Sequence, residues 1–301
     1  MEHILSMQHV TKNYGRFCLQ DITLALPKGC IMGLIGENGA GKTTLLKTIL
    51  GMIHVDEGQV EIFHSSLSED ERNIKEKIGT VFSEASFPEN MTPQQMDKVL
   101  SSIYQQWDTT AFHNYLKEFR LPLDKSNKQF SRGMKMKLQI AIALSHQAQL
   151  LLLDEATSGL DPVAREEILD ILLDFIQDEE HAVLISSHIT SDIEKCCDYV
   201  TFLHEGKMLL STEKDALLDT YGIWHCTKEE LMKLDHHDYL AYRVNAFAVD
   251  VLVKDRQRVM LQHPNAVMDP ASLEDILVFM EMYALSDFLI MVFVMVSEAV
   301  T

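Results

Sequence analysis

A short glycine-rich stretch offers the clearest chemistry in the sequence. The segment GENGAGKT fits the pattern G-x-x-x-x-G-K-[ST] and directly follows the apolar run CIMGLIG. In this context glycines let successive amides point at phosphate oxygens, while Lys42 reaches the β and γ phosphates and the Thr43 hydroxyl binds magnesium. A glycine-rich turn with a surface lysine is the plainer alternative, which the flanking strand and helix patterns oppose. The residues expected to contact a nucleotide are Gly36, Asn38, Gly39, Gly41, Lys42, Thr43 and Thr44.

An acidic pair supplies the partner that such a loop requires. The run LLLLDE ends a buried strand pattern with Asp154 and Glu155. We expect Asp154 to hold magnesium through water, and Glu155 to orient or deprotonate an attacking water molecule. An acidic pair at a strand end is usually only a solvated edge. The glycine-rich loop favours the catalytic interpretation, because that loop needs an acidic residue at the end of a second strand.

A third stretch, FSRGMKMKLQIAIAL, begins a helical pattern with Arg132, Lys135 and Lys137. The N-terminus of a helix already carries partial positive charge, so cations in its first turn are unfavourable unless an anion binds there. The other interpretation is a solvated basic face, which is the usual role of a charge run. The segment therefore predicts either an anion site or an exposed basic helix face.

These motifs need a framework, and strand and helix patterns alternate along most of the chain. Such alternation is typical of an α/β core with parallel strands. A mainly helical segment at about 92–146 separates two sheet portions, and after Tyr221 the stretch YRVNAFAVDVLVKD alternates as a strand before a capped amphipathic helix. We predict a nucleotide-binding domain at 1–221 and a small α+β domain at 222–301.

The charge balance limits the class of partner. The chain has 301 residues, with 26 basic and 45 acidic side chains and a net charge of −19 at pH 7. This charge opposes broad contact with nucleic-acid phosphates, so we expect no nucleic-acid partner, while local phosphate sites are compatible with it. Hydrophobic residues make up 47% of the chain, which is enough for an ordinary globular core.

Cysteine usage and the apolar runs indicate the compartment. The cysteines form no CxxC pair and suit neither a disulfide framework nor a zinc site, so a reducing cytosol fits best. No basic region precedes a long apolar core at the amino terminus, so we expect no secretory signal. The apolar run from Phe288 to Val296 is far shorter than the roughly 20 residues that span a bilayer. The five cysteines are Cys18, Cys30, Cys196, Cys197 and Cys226.

Taken in order, the motifs resemble those of the ATP-binding subunits of ABC transporters. The segments that carry the resemblance are NYG at 13–15, GENGAGKTT at 36–44, FSRGM at 130–134, LLLLDEATSGLDP at 150–162 and SSH at 186–188. The resemblance implies an α/β P-loop NTPase core with an antiparallel β subdomain and a helical subdomain. It also implies ATP and Mg²⁺ as cofactors, with ATP hydrolysis as the reaction.

The resemblance answers the question raised by the basic helix start. In this family two ATP-binding domains face head to tail, and the signature helix of one caps the γ-phosphate of ATP held by the other. Ser131 and the amide of Gly133 would then donate to the partner's nucleotide, and Asp161 would lie in the loop that communicates between subunits. Whether the dimer is a homodimer or a heterodimer stays open.

The resemblance also implies roles for Tyr14 and His188. Tyr14 resembles the side chain that stacks on adenine, although a tyrosine before glycine is more often a turn-packing residue. His188 resembles the switch histidine that contacts the γ-phosphate, against the alternative of an ordinary strand-end histidine. With these additions the expected catalytic residues are Lys42, Glu155 and His188, and the metal ligands are Thr43 and Asp154.

The sequence departs from the family at three places. Ser83, followed by Glu84, stands where the family usually has glutamine, and a serine is too short to reach metal and water in the same way. Arg132 replaces a glycine of the signature, and Ala156 stands where proline usually follows the catalytic glutamate. These changes are compatible with ATP binding but predict hydrolysis that is slow or tightly coupled to a partner.

The carboxy-terminal part indicates the branch of the family. The segment DPASLEDILVF is similar to extensions of bacterial exporter ATPases whose transmembrane permease is a separate polypeptide. The resemblance implies export of a small molecule or antimicrobial peptide, from a cytoplasmic position peripheral to the inner face of the membrane. We expect the final segment LSDFLIMVFVMVSEAVT to be buried in a fold or homodimer, to dock on a membrane subunit, or to form a loosely ordered tail.

Other function classes make different demands on the sequence. An ABC ATPase acting on nucleic acid or the ribosome predicts tandem cassettes, a long coiled-coil insertion or a basic surface. A P-loop kinase does not need FSRGM, SGLD and His188 in this order. A regulatory module that senses ATP without turnover is the remaining alternative, supported by Ser83 and Ala156.

Overall fold

The computed structural model describes residues 2–82, 87–245 and 248–284. The chain divides into two compact units, Met1–Ser211 and Thr212–Thr301. The expectations for Ser83 with Glu84, and for the apolar segment at 285–301, lie outside the described residues. Within the described part of the chain, no helix is both long and apolar enough to cross a bilayer.

The first unit is built on a mixed sheet, which among the described residues has the strand order β5-β4-β1-β2-β10-β9-β3-β8-β7-β6. Its central strands β9, β3, β8, β7 and β6 pair in parallel. The sequences of these strands are mainly continuous apolar runs, because helices cover both faces of such a sheet. Their bounds are β3 (Cys30–Ile35), β6 (Ile78–Phe82), β7 (Leu150–Asp154), β8 (Ala182–Ser187) and β9 (Tyr199–His204).

The other half of the sheet is mainly antiparallel. Strand β1 pairs with both β2 and β4 in antiparallel register, and β4 pairs with β5. This arrangement is the antiparallel β subdomain that the family resemblance implies. The bounds are β1 (His3–Asn13), β2 (Cys18–Pro27), β4 (Glu57–Ile62), β5 (Ser65–Ser66) and β10 (Lys207–Glu213).

Several helices of the first unit begin at recognisable caps. The Thr92 side chain accepts from the amide of Gln95 and Pro93 follows it, which is the cap expected at the start of the helical segment. Asp108 caps the next helix in the same way. The bounds are α1 (Lys42–Ile49), α2 (Leu67–Glu76), α3 (Pro93–Ile103), α4 (Thr109–Glu118), a 3₁₀ turn (Asn127–Gln129), α5 (Arg132–Ser145), α6 (Pro162–Phe175) and α7 (Thr190–Cys196). The segment predicted as helical at 92–146 thus contains α3, α4 and α5.

The second unit has its own small sheet, with strand order β12-β13-β11-β14 among the described residues. Its core includes Trp224, Val251 and Val259, all at most 2% exposed. A further helix covers 273–284, and the Ser272 hydroxyl caps it by accepting from the amide of Asp275. The other bounds are α8 (Lys214–Thr220), β11 (Gly222–Cys226), α9 (Lys228–Leu231), β12 (Tyr239–Val244), β13 (Val249–Val253), α10 (Arg256–Gln262) and β14 (Val267–Pro270).

The stretch YRVNAFAVDVLVKD is two strands, so the prediction of one strand is wrong. Strands β12 and β13 pair in antiparallel register, with Val244 opposite Val249. The amide of Asn245 donates to the carbonyl of Ala248 at 2.9 Å, which closes the connection between them. Asparagine favours turns, but a run of four apolar residues, Ala246 to Val249, follows Asn245 directly, so the sequence shows no polar break between the two strands.

Candidate active site

The glycine-rich loop connects the end of β3 at Ile35 to the start of α1 at Lys42. The Lys42 ammonium is buried and donates to the carbonyl oxygens of Gly36 at 2.6 Å and Glu37 at 3.2 Å. A Cβ atom at Gly36 would lie 2.1 Å from the carbonyl oxygen of Leu203, so only glycine fits this close approach. The lysine is therefore held over the loop, where backbone oxygens compensate part of its buried charge.

The loop forms one wall of a cavity of about 210 Å³. The cavity is smaller than the roughly 300–1,000 Å³ typical of pockets that enclose a whole small-molecule ligand. Its size suits a phosphate chain whose attached base lies outside. The lining residues are Phe17, Glu37, Asn38, Gly39, Gly41, Lys42, Thr43, Thr44 and Glu155. Of the loop residues predicted to contact nucleotide, only Gly36 lies outside this lining.

Asp154 connects the loop to two neighbouring strands. It ends β7, is 4% exposed, and accepts from the Thr43 hydroxyl at 2.7 Å through Oδ2. Its other oxygen, Oδ1, accepts from the Ser186 hydroxyl at 2.7 Å. The pairing of β7 with β8 places Ser186 directly beside Asp154. These bonds fix the carboxylate against the first turn of α1.

Glu155 lies between the other two predicted catalytic residues, Lys42 and His188. Its Oε1 is 3.3 Å from the Lys42 ammonium, and its Oε2 is 2.6 Å from Nδ1 of His188. The backbone of Glu155 has φ +52°, a left-handed conformation that is uncommon for a residue with a side chain. Its amide donates to the Ser186 hydroxyl at 3.1 Å, which helps to hold this turn. The structure thus brings Lys42, Glu155 and His188 together.

Two aromatic residues, Tyr14 and Phe17, take different positions relative to the cavity. Tyr14 is 49% exposed and lies outside the cavity lining, with the Lys12 ammonium 5.7 Å from its ring centroid. Phe17, three residues later, lines the cavity. Sequence reasoning missed Phe17, although its place just before the buried strand β2 was a usable signal.

Ser131, Gly133 and Asp161 lie outside the lining of this cavity. Ser131 is the exposed N-cap of α5, and its hydroxyl accepts from the amide of Met134 at 3.3 Å. Asp161 caps α6 in the same way by accepting from the amide of Ala164 at 3.0 Å. Both residues therefore stand at helix starts, where partial positive charge is exposed to solvent.

The basic residues of α5 are not equivalent. Lys137 pairs with Glu167 of α6, so its charge is compensated within the chain. The guanidinium of Arg132 lies against Gly159, where a Cβ atom would come 3.0 Å from Nη1. Gly159 has φ +68°, so both its conformation and the arginine favour glycine at this position.

Ser186 is the second residue that sequence reasoning missed. It bonds both the Asp154 carboxylate and the Glu155 amide, and it is fully buried. The motif SSH pointed to its neighbourhood, but its role depends on β8 lying beside β7. That strand order is not readable from one local pattern.

The arrangement defines a class of protein. A glycine-rich loop between a strand and a helix, with its threonine bonded to the acidic end of a second parallel strand, is the site of a P-loop nucleoside triphosphatase. The family described as ABC transporter matches residues 19–158. The chain belongs to the ABC transporter family.

Relatives and solved structures agree with this family. The chain is 36% identical to the lantibiotic transport ATP-binding protein SrtF of Streptococcus pyogenes over 214 residues, which cover 70% of this chain and 92% of that protein. It is 32% identical to the bacitracin transport ATP-binding protein BcrA of Enterococcus faecalis over 212 residues, which cover 69% of each chain.

A solved ATP-binding subunit of an ABC transporter superposes with a TM-score of 0.65 at 26% identity, covering 71% of this chain and 91% of that one. A nucleotide-free ATP-binding cassette superposes with a TM-score of 0.61 at 20% identity, covering 70% and 92%, and supports the fold alone. The predicted family, α/β fold class and ATP-hydrolysing activity are confirmed. The chain is an ATP-binding and ATP-hydrolysing subunit that powers a transporter, and subunits of this kind act with membrane subunits.

Proposed function

We propose that this subunit powers the export of an antimicrobial peptide through a separately encoded transmembrane permease. The observation that carries the cargo class is the similarity to two relatives named for lantibiotic and bacitracin transport, at 36% and 32% identity. The subunit would act as a homodimer or heterodimer, peripheral to the inner face of the membrane on its cytoplasmic side. We infer no nucleic-acid partner, in keeping with the net charge of −19.

In the proposed site Lys42 binds the β and γ phosphates of ATP. Its ammonium is already buried at the loop, where its described contacts are two backbone oxygens and one carboxylate. An arriving phosphate would offer stronger charge-assisted bonds than neutral carbonyls do. Amides of the glycine-rich loop add to this attraction at the start of α1.

Thr43 and Asp154 fit a magnesium ion. Mg²⁺ prefers oxygen ligands and is usually held by one or two carboxylates together with substrate phosphates. The Thr43 hydroxyl and the Asp154 carboxylate are oxygen donors that lie 2.7 Å apart beside the phosphate cavity. When bound, the ion would neutralise charge on the phosphate oxygens. Ser186 would keep the Asp154 carboxylate oriented through its bond to Oδ1.

Glu155 is the proposed general base, and His188 the proposed switch residue. Glu155 Oε1 faces Lys42 and, among the described residues, is buried without a hydrogen bond. This carboxylate oxygen can accept a proton from water as the water oxygen attacks the γ-phosphorus and ADP leaves. His188 orients the carboxylate by its contact with Oε2.

The second half of the proposed site comes from a partner subunit. Ser131 and Gly133 at the start of α5 would donate to the γ-phosphate bound by the partner, and Asp161 would communicate across the interface. Their position outside the chain's own cavity supports this proposal. Tyr14 would stack on adenine, with Phe17 packing beside it at the cavity wall.

The proposal is tested by identifying the permease and its cargo. The subunit is expressed with an affinity tag in its native host, and co-purifying membrane polypeptides are identified by mass spectrometry, with the Lys42→Ala protein as a control for ATP-dependent association. The gene is then deleted, and sensitivity to a lantibiotic, to bacitracin and to a small organic cation is measured. We expect increased sensitivity to a peptide alone. A strain with unchanged peptide sensitivity and no co-purifying permease contradicts the proposal.

A further inference from the structure

Three helices of the first unit begin next to residues of the proposed site. Helix α5 is capped by Ser131 and α6 by Asp161, while α7 begins two residues after His188. Ionic contacts connect α6 to α7 at two places. One is an exposed pair between Lys195 and Glu166, and the other is a contact between Arg165 and Asp192.

The contact between Arg165 and Asp192 is long and largely buried. Nη1 of Arg165 is 3.8 Å from Oδ1 of Asp192, beyond hydrogen-bond distance. The Asp192 side chain is 2% exposed and that of Arg165 is 27% exposed. Within the described part of the chain, Oδ2 of Asp192 and Nε of Arg165 are both buried without a hydrogen bond.

Such an arrangement is unfavourable as it stands. A buried carboxylate or guanidinium that lacks hydrogen bonds loses hydration without compensation. A guanidinium and a carboxylate can instead form two parallel hydrogen bonds, which is the most favourable geometry for this pair. A small approach of α6 to α7 would create these bonds and satisfy both unpaired atoms.

Both residues are closely coupled to the ends of their helices. The amide of Arg165 donates to the carbonyl of Asp161 at 3.0 Å, so Arg165 lies one helical turn after the interface loop. The amide of Asp192 donates to the carbonyl of Ile189 at 3.2 Å, next to His188. A shift of Asp161 therefore moves Arg165, and a shift of His188 moves Asp192.

We propose that Arg165 and Asp192 are positioning residues that couple the switch residue His188 to the interface residue Asp161 through α7 and α6. The inference rests on the proposed roles of His188 and Asp161. The pair, whose nearest atoms are 3.8 Å apart in the structure, would close to a double hydrogen bond when ATP brings two subunits together. Closing places Asp161 correctly for the partner and stabilises the ATP-bound dimer.

The test uses ATP-dependent dimerisation and steady-state kinetics of the full chain. Asp192→Asn keeps the volume and removes the charge, while Arg165→Gln disrupts the pair from its less buried side. Each should lower kcat about tenfold, a typical effect of changes at coupling positions, with little change in the KM for ATP. Changing both residues together should be no worse than changing one. Glu166→Gln, which breaks the exposed pair on the same two helices, should leave kcat unchanged because exposed pairs contribute little.

Dimerisation distinguishes this inference from the proposed function. In a Glu155→Gln background, ATP should give a stable dimer, and adding Asp192→Asn or Arg165→Gln should raise the ATP concentration needed for it. If Glu155→Gln gives neither an ATP-dependent dimer nor slower hydrolysis, the proposed function fails. If it dimerises and the added changes alter neither dimerisation nor kcat, the positioning role is wrong. The urea unfolding midpoint of each variant is measured as a control for stability. If the losses of kcat and of dimerisation across the variants parallel the loss of this midpoint, they come from stability alone, and the inference is also overturned.

Discussion

The Thr43 hydroxyl donates to Oδ2 of Asp154 at 2.7 Å, joining residues 111 positions apart in the sequence. This bond connects the first turn of α1 to the end of β7. It brings together the two oxygen ligands proposed for magnesium, so the metal would find its protein ligands in place before ATP arrives.

Asp154→Asn should remove the dependence of ATP affinity on magnesium. The amide has nearly the same size as the carboxylate but lacks its charge, so it holds a hard cation poorly. We expect the gain in ATP affinity on adding Mg²⁺ to fall at least about tenfold, as for other losses at metal sites. Fluorescent-nucleotide titrations with Mg²⁺ or EDTA measure this gain. Asp174→Asn, on the exposed part of α6, is the matched control and should behave as wild type.

Glu155→Gln should preserve ATP binding and slow hydrolysis about a hundredfold or more, within the range that general bases contribute. The change keeps the size of the side chain and its place between Lys42 and His188. Because ATP then persists, two subunits should stay associated. Phosphate release and size-exclusion chromatography measure the two effects. Unchanged turnover without a dimer contradicts the role given to Glu155.

Local motifs made much of this site predictable. The glycine-rich loop, the acidic strand end and the helix caps each depend on residues within a few positions of one another. For example, the Asp161 cap requires only the amide of Ala164 three residues later. Sequence reasoning therefore located Lys42, Asp154 and Glu155 without any knowledge of strand order.

Contacts that depend on strand order or on an interrupted pattern were not predictable. Ser186 meets Asp154 only because β8 lies beside β7 in parallel register, and no residue near either one in the sequence determines that pairing. The connection between β12 and β13 was missed because the apolar run from Ala246 to Val249 follows Asn245 without a polar break. The division of the chain falls after Ser211, whereas composition shifts after Tyr221, and the extent of an accessory domain at 222–301 stays a prediction.

The second unit should lose stability as the pH rises above neutrality. In its sheet, Nδ1 of His225 is 2.7 Å from Asp250 and Nε2 is 3.1 Å from Asp269. Both nitrogens can donate only when the imidazole is protonated. The bond to Asp250 and, more weakly, that to Asp269 raise the pKa of His225, although partial burial opposes this shift. Arg243 also contacts Asp250, on the oxygen remote from His225.

The sign of the effect follows from the raised pKa. Stabilisation by His225 is fully present below the unfolded-state pKa of about 6.5 and is lost as the pH rises through the higher folded-state value. Urea unfolding between pH 6 and pH 9 should therefore show a falling midpoint, and His225→Gln should flatten this dependence. His237→Gln, an exposed histidine of the same unit, is the control. An identical pH profile for wild type and His225→Gln contradicts the prediction.

Ser131→Arg should abolish ATP-dependent dimerisation while leaving ATP binding by the isolated subunit intact. Ser131 caps α5 outside the chain's own phosphate cavity, so its effect should appear only on nucleotide bound by a partner. An arginine at this position would crowd the γ-phosphate rather than simply attract it. Ser102→Arg, which adds the same side chain at an exposed site on α3, is the control and should dimerise normally.

Mixing variants tests the two nucleotide sites of the proposed dimer separately. Each site would combine the glycine-rich loop of one subunit with the start of α5 from the other. When Ser131→Arg and Lys42→Ala subunits combine, both changes can fall on one site and leave the other intact. If the sites turn over independently, the mixture should recover part of the hydrolysis that each variant lacks. If the sites are strictly coupled, it should stay inactive while still forming ATP-dependent dimers. Normal dimerisation and hydrolysis by Ser131→Arg alone would remove the role in the partner's site, and the start of α5 would then be an ordinary solvated helix end.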